Sequence, residues 1–167
     1  LQQGKGRMGQ ENRNKPFLFR TIRKDEAEQA IEIESICFPP NEACTREHMI
    51  PRIAAAADFF LAAEDPGSGK IAGFINGIAT NEHAFRDDFF TDASVHDAGG
   101  SNLMILGLDV LPEYRGQGLA RELVYRYRDR FLDRRLVLPC LERLAPMYEK
   151  FGFRGLGGSA SVWGGEQ

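Results

Sequence analysis

The sequence is poor in cysteine and has no long apolar run. Its 167 residues include three cysteines, Cys37, Cys44 and Cys140, and no two of them form a C-x-x-C pair. An odd, scattered set does not suggest a disulfide framework, so we expect a reducing, cytoplasmic environment. No run of about eighteen consecutive apolar residues occurs, and we therefore expect no membrane span.

The sequence also lacks an excess of positive charge. Its formal net charge is −3, which argues against general nucleic-acid binding. A composition of 43% hydrophobic and 27% charged residues suits one globular domain. The first fifteen residues, "LQQGKGRMGQENRNK", lack the apolar core of a signal peptide. We expect residues 1–14 to be a tag remnant or flexible tail and residues 15–167 to form a single domain.

Hydrophobic periodicity gives the order of elements. It predicts strands in "FLFRTIR", "DFFLAAE", "KIAGFINGIAT", "NLMILGLDV", "RLVLPC" and "SASVW". It predicts helices in "KDEAEQAIEIESICF", after Thr45, over 116–132 and in "APMYEKFGF". This order predicts a mixed α+β domain whose mostly antiparallel sheet of six to seven strands is flanked by about four helices.

The segment "EYRGQGLA", residues 113–120, joins a predicted buried strand to a predicted helix. A helix N-terminus exposes unpaired N–H groups and partial positive charge, which together favour an anion such as phosphate. Gly116 and Gly118 allow a ligand to approach the backbone closely, and Arg115 adds a cation. The segment is neither a Walker A loop nor a dinucleotide fingerprint. Without further signals, a tight turn with a solvated arginine is the alternative.

A longer segment, "LGLDVLPEYRGQGLARELV", resembles the acyl-CoA site of the GNAT superfamily of N-acyltransferases. The family motif Q/R-x-x-G-x-G/A is met by Arg115, Gly118 and Ala120. Downstream, "LAPMYEKFGFR" is similar to the second family motif and places Tyr148 at its usual tyrosine. The resemblance covers residues 17–163. Three segments also resemble the arylalkylamine (serotonin) N-acetyltransferase-like members: "EIESICFPPNEAC", "DAGGSNLMILGLDVL" and "PCLERLAPMYEKFGFRGLGG".

The resemblance implies an acetyl-CoA-dependent N-acetyltransferase that passes an acetyl group directly from the thioester to a primary amine. The implied acceptor is a small molecule of arylalkylamine or polyamine type, and no metal is expected. The Leu108 N–H would polarise the acyl carbonyl, and Tyr148 would contact the cofactor and protonate the leaving sulfur. The implied contacts to coenzyme A are Leu108, Asp109 and Val110 for pantetheine, and Arg115, Gly116, Gln117, Gly118, Leu119 and Ala120 for pyrophosphate.

The base is the open question, because Met104 and Leu106 stand where serotonin members carry two strand histidines. Glu34, near the end of the first helix, is the candidate that holds the ammonium and passes its proton to water. The alternative for Glu34 is a solvated helix charge. His83, His96 and Glu142 are further candidates, each with a solvated surface position as its alternative.

The predicted amine site follows the first helix. Phe38 and Pro39 offer an apolar rim and Glu42 a charge for the ammonium, whereas the alternative is a plain helix-terminating loop. Cys140 is predicted to line the site rather than to act as a nucleophile. Two other functions stay open: acetylation of a protein or peptide amine, and a non-catalytic acyl-CoA sensor. Edge strands near the C-terminus are suited to pairing across a homodimer.

Overall fold

The computed structural model describes residues 17–139 and 144–155 of the chain. The strands in this part are β1 Leu18–Thr21, β2 Phe60–Glu64, β3 Ile71–Thr80, β4 Asn102–Val110 and β5 Arg135–Val137. The α-helices are α1 Ala27–Cys37, α2 Arg46–Ala56, α3 Asp88–Thr91, α4 Leu119–Arg130 and α5 Ala145–Lys150. None of these helices is both long enough and apolar enough to cross a membrane.

The strands form one mixed sheet in the order β1-β2-β3-β4-β5. The first four strands pair antiparallel, whereas β5 lies parallel to β4. The expected α+β class is confirmed. The expected six to seven mostly antiparallel strands and about four helices are corrected to five strands and five helices in the described part. The segment "SASVW" lies outside the described residues.

The hairpin of β2 and β3 forms where the sequence predicts it. The turn "DPGSGK" closes with the Asp65 N–H donating to the Lys70 carbonyl at 2.8 Å, and Gly69 adopts a φ of 75° that favours glycine. Every residue of β3 is buried. Its near-continuous apolar sequence fits a strand covered on both faces.

The two faces of the sheet carry different layers. On one face α1 and α2 enclose a cluster that includes Ile33, Met49 and Phe74. On the other face α4 contributes Leu123, Val124 and Tyr127 to the larger cluster, which lies against β2, β3 and β4. Since side chains alternate along a strand, β4 sends successive residues to these two layers.

Candidate active site

Strand β4 contains a β-bulge opposite Asn76 and Gly77 of β3. Asn76 pairs with Gly107 and Gly77 with Ile105, so Leu106 is an extra residue on β4. The parallel partner β5 pairs only with Asn102–Met104, before the bulge. Within the described residues, the β5 side of β4 is therefore unpaired from Leu106 to Val110. A gap of this kind accepts an extended ligand that pairs with the strand backbone.

The backbone of Leu108 points into this gap. The Leu111 N–H donates to the Ala72 carbonyl at 2.9 Å, which makes Val110 and Gly73 a non-hydrogen-bonded pair. By alternation along the ladder, Leu108 is also in a non-hydrogen-bonded pair, so its N–H and carbonyl face away from β3. Leu108 and Val110 are thus the residues of this segment that offer backbone groups to a ligand.

Asp109 differs from its two neighbours, because its backbone groups do not face the gap. The same alternation pairs its backbone with that of Phe74 on β3. Its side chain, 1% exposed, lies on the α1 and α2 side of the sheet. The contact of Asp109 with the cofactor stays a prediction, and the backbone groups that face the gap are those of Leu108 and Val110.

The turn that follows β4 presents backbone donors to solvent. Gly116 and Gly118 have φ values of 78° and 77°, in the left-handed region. An added Cβ at either glycine would meet nothing within 4 Å, so the turn leaves open space above its backbone. Within the described part of the chain, the N–H groups of residues 116–121 have no acceptor. They precede and begin α4, whose dipole adds positive potential.

Arg115 links this turn to the strand and to α1. Its exposed side chain donates from Nε to the Val110 carbonyl at 2.9 Å. The Cys37 thiol donates to the same carbonyl at 3.4 Å. Burial raises the pKa of Cys37, so the thiol is held in its protonated form. The contacts place the end of α1 beside the predicted cofactor site.

Glu34 is buried, at 4% exposure, rather than solvated on the helix surface. Its Oε2 accepts the Cys44 N–H at 2.8 Å. The helix ends three residues later because Pro39 and Pro40 follow Phe38. Glu34 therefore holds the far end of the loop 38–45 against the helix that starts it.

The predicted amine-binding residues lie on this loop. Phe38 and Glu42 are half-buried and Pro39 is exposed. The loop is folded upon itself, since the Glu42 and Ala43 N–H groups both donate to the Pro39 carbonyl at 2.9 Å. The structure brings this loop, Glu34 and β4 together. Cys140 lies outside the described residues, as does Glu142.

A buried polar cluster lies under the bulge on the α1 and α2 side. An ideal Cβ on Gly107 would be 3.3 Å from Glu34 Oε1, 3.4 Å from Asp109 Oδ1 and 3.1 Å from Asn76 Nδ2. The Arg52 guanidinium, 3% exposed, donates to Asn76 Oδ1 at 3.2 Å and to the Phe90 carbonyl at 2.8 Å. Burial raises the pKa of Glu34, and it raises the pKa of Asp109 still further.

The two loop histidines are placed differently. His83 is exposed. His96 accepts the Ala79 N–H on Nδ1 at 3.0 Å and packs edge-on against Phe59, while burial lowers its pKa. Ala79 pairs with Leu103, which lies roughly 16 Å along the strand from Leu108 at about 3.3 Å per residue. His96 thus occupies a structural position distant from the opening.

Tyr148 lies on α5, half-buried among aromatic rings. Its ring centroid is 6.2 Å from that of Phe151 and 6.1 Å from that of Phe153, both edge-on. Phe151 in turn contacts Tyr125, which places α5 beside α4. The assignment of Tyr148 as the acid stays a prediction.

Sequence reasoning missed three features of this site: the bulge at Leu106, the buried Arg52 and the approach of Asp109 and Glu34 to Gly107. Signals for the last two were present. Asp109 interrupts a strand that is otherwise apolar, and Arg52 lies between the apolar Met49 and Ile53 of α2. Charged residues at inward positions are rarely buried unless they have partners, so such residues point to a polar cluster in the core.

Comparison with known proteins identifies a family for this arrangement. The profile of the acetyltransferase (GNAT) family matches residues 22–153. Serotonin N-acetyltransferase of Mesocricetus auratus is 32% identical over 100 residues, which are 58% of this chain and 47% of that enzyme. The match confirms the resemblance to serotonin N-acetyltransferase-like members. The chain spans about half the length of this curated relative.

Solved structures share the fold. The loading GNATL domain of CurA from Lyngbya majuscula superposes with a TM-score of 0.68 at 20% identity, covering 80% of this chain and 69% of that one. The N-acetyltransferase YhbS of Escherichia coli, solved with CoA, gives a TM-score of 0.55 at 22% identity, covering 83% and 69%. With the family profile matched over most of its length, the chain belongs to the acetyltransferase (GNAT) family.

Proposed function

We propose that the protein is an acetyl-CoA-dependent N-acetyltransferase that acts on the primary amine of a small molecule of arylalkylamine or polyamine type. The observation that carries this proposal is the continuity of two features. The open edge of β4 beyond Leu106 leads directly into the turn of residues 115–118, whose N–H groups precede α4. An extended pantetheine arm followed by a pyrophosphate has the shape and charge that such a path accepts.

The residues present fit coenzyme A. Leu108 and Val110 would pair with the pantetheine amides, while Gly116, Gln117, Gly118, Leu119 and Ala120 would surround the pyrophosphate with N–H groups. The guanidinium of Arg115 would leave the Val110 carbonyl and add its charge to the phosphates. When bound, acetyl-CoA supplies the activated acetyl group.

Acetyl transfer requires a neutral amine, a polarised carbonyl and a protonated leaving group. The Leu108 N–H would donate to the carbonyl oxygen as negative charge develops there. Glu34 would accept the ammonium proton through a water molecule, which frees the nitrogen lone pair to attack the carbonyl carbon. The carbon–sulfur bond then breaks, and the Tyr148 hydroxyl would give its proton to the sulfur. The second proton, which the nitrogen loses as the amide forms, would pass through solvent and restore the tyrosine hydroxyl.

The acceptor would lie against the loop 38–45. Phe38 and Pro39 offer apolar contact and Glu42 a negative charge, and Cys140 is proposed to line the same site. A homodimer, a cytoplasmic location and a single domain over residues 15–167 stay predictions.

A thiol-release assay with acetyl-CoA tests this function. The panel holds arylalkylamines, polyamines, aminoglycosides and lysine peptides, and we expect coenzyme A release with small amines. If coenzyme A is released only with lysine peptides, the acceptor is a protein or peptide amine rather than a small molecule. Tight acetyl-CoA binding in calorimetry without release from any amine would favour the non-catalytic sensor.

A further inference from the structure

Three ionisable side chains meet in the core under the catalytic strand, each from a different element. Glu34 comes from α1, Arg52 from α2 and Asp109 from β4, and their exposures are 4%, 3% and 1%. The carboxyl groups of Glu34 and Asp109 are neighbours in this cluster. Both approach Gly107, where any larger residue would bring a Cβ within 3.4 Å of their oxygens. The absence of a side chain at Gly107 makes room for the carboxyl pair.

The charges of this cluster require one proton on the pair. Arg52 supplies one positive charge, whereas two ionised carboxylates would supply two negative charges in a buried region of low dielectric constant. Burial of an uncompensated charge is costly, so one carboxyl group stays neutral. The facing groups are Arg52, which favours ionisation of both acids, and the thiols of Cys37 and Cys44, which burial keeps protonated.

The hydrogen bonds decide which acid holds the proton. Glu34 Oε2 accepts the Cys44 N–H at 2.8 Å, and a donor of this kind stabilises a carboxylate. Neither oxygen of Asp109 receives an N–H or O–H from the described residues. These contacts favour Asp109 as the protonated member, whose O–H would donate to Glu34.

We propose that Asp109 is a positioning residue for Glu34: its carboxylic O–H fixes the Glu34 carboxylate under the bulge and keeps it in the ionised form that accepts the proton of the amine. This inference rests on the proposed function, in which Glu34 is the base. Asp109 is adjacent in sequence to Leu108, so one segment of β4 would both polarise the carbonyl and orient the base.

The same arrangement links the base to the amine site. Glu34 is held on one side by Asp109 and on the other by the Cys44 N–H, which closes the loop carrying Phe38, Pro39 and Glu42. A change in the proton content of the pair would therefore alter the position of Glu34 and the fit of the loop together.

The variant Asp109→Asn tests this role. Asparagine has nearly the size of the protonated acid and donates an N–H, but the amide is a weaker donor than a carboxylic acid. We expect the acid limb of the kcat/KM profile to move up by about one pH unit, an approximately tenfold loss at a pH below the limb. Acetyl-CoA affinity in calorimetry should not change, because Asp109 directs no group into the gap.

Two further variants complete the experiment. Asp109→Leu removes the donor altogether and should lose activity at every pH, while Asp133→Asn changes an exposed acid and should match the wild type. A profile of Asp109→Asn that superimposes on the wild-type profile would overturn the positioning role and leave the proposed function intact. Absence of thiol release by the wild-type protein with every amine would overturn both.

Discussion

Two polar regions flank the same short stretch of β4, and they are built in opposite ways. The turn of residues 115–118 is exposed and made of backbone groups, whereas the cluster of Glu34, Arg52 and Asp109 is buried and made of side chains. Among the described residues, the N–H groups of residues 116–118 in the turn have no acceptor, whereas the carboxyl groups of the cluster would share the proposed proton. We call them the backbone site and the carboxyl site.

This difference in exposure and composition suits the backbone site to binding the pyrophosphate and the carboxyl site to accepting a proton. A bulky, multiply charged group such as a pyrophosphate needs many donors that stay solvated until it binds, and an exposed helix N-terminus provides them. A base must change its proton content near neutral pH, and burial shifts the pKa of Glu34 in that direction. Substitutions at the backbone site should therefore alter affinity for coenzyme A, and those at the carboxyl site should alter turnover.

The largest effect is expected for Glu34→Gln. The amide keeps the size of the side chain and an oxygen to accept the Cys44 N–H, but it cannot take the amine proton. Loss of a general base lowers kcat by about 10²- to 10⁴-fold, and we expect a loss in this range in the thiol-release assay. The acetyl-CoA dissociation constant should stay within about twofold of the wild-type value. A large loss of acetyl-CoA affinity would show that the carboxyl site also contributes to cofactor binding, which contradicts the assignment of separate tasks to the two sites.

Tyr148→Phe should give the next largest effect. The substitution removes one hydroxyl and retains the ring that contacts Phe151 and Phe153. We expect kcat to fall by about 10²-fold, at the lower end of the range for acid catalysis, since a thiol of pKa about 8.5 leaves tolerably as the thiolate. The loss should lessen with more acidic thioester leaving groups. Unchanged turnover would remove Tyr148 from the mechanism.

The two sites also differ in how well the sequence reveals them. The backbone site is local: a strand, two glycines and a helix follow one another within residues 102–130, so a motif and elementary dipole arguments predict it. The positive φ of Gly116 and Gly118 agrees with that reasoning. The α+β class follows equally from local periodicity.

The carboxyl site was only half predicted, because it depends on contacts between distant segments. Glu34 was a candidate base on the strength of its place near a helix end. Its burial, and the approach of Asp109, depend on how α1 packs against β4 and on the missing side chain of Gly107. The bulge at Leu106 is equally nonlocal, since it exists only relative to β3. No pattern in one segment specifies such a register.

A matched pair of glycine variants sharpens the comparison at the backbone site. Gly118 and Gly69 have φ values of 77° and 75°, and an added Cβ meets nothing within 4 Å at either position. Alanine should therefore destabilise both variants similarly, by about 1–3 kcal/mol. Only Gly118→Ala should weaken acetyl-CoA binding, by about tenfold, because its Cβ would occupy the proposed ligand space. If the Gly118→Ala and Gly69→Ala variants bind acetyl-CoA with equal affinity in calorimetry, the pyrophosphate does not bind at this turn.

The effect that is smallest over a single pH unit concerns the free energy of unfolding and its dependence on the proton of the carboxyl site. Since burial raises the pKa of Asp109, the folded protein keeps a proton that the unfolded chain releases above about pH 3.9. The free energy of unfolding should therefore fall as the pH rises from that value towards the raised pKa of Asp109, by at most about 1.4 kcal/mol per pH unit. Asp109→Asn has no such proton and should become more stable relative to the wild type across the same range.

Urea unfolding of both proteins at several pH values measures this difference. Asp133→Asn, with its exposed acid, should run parallel to the wild type throughout. If the free energy of unfolding of Asp109→Asn also changes with pH in parallel with that of the wild type, the folded protein holds no extra proton on Asp109. Glu34 would then lie beside a second carboxylate rather than a donor, and the charge of Arg52 alone would have to offset both acids. The carboxyl site would in that case be a structural ion cluster, and the contrast with the backbone site would concern burial only.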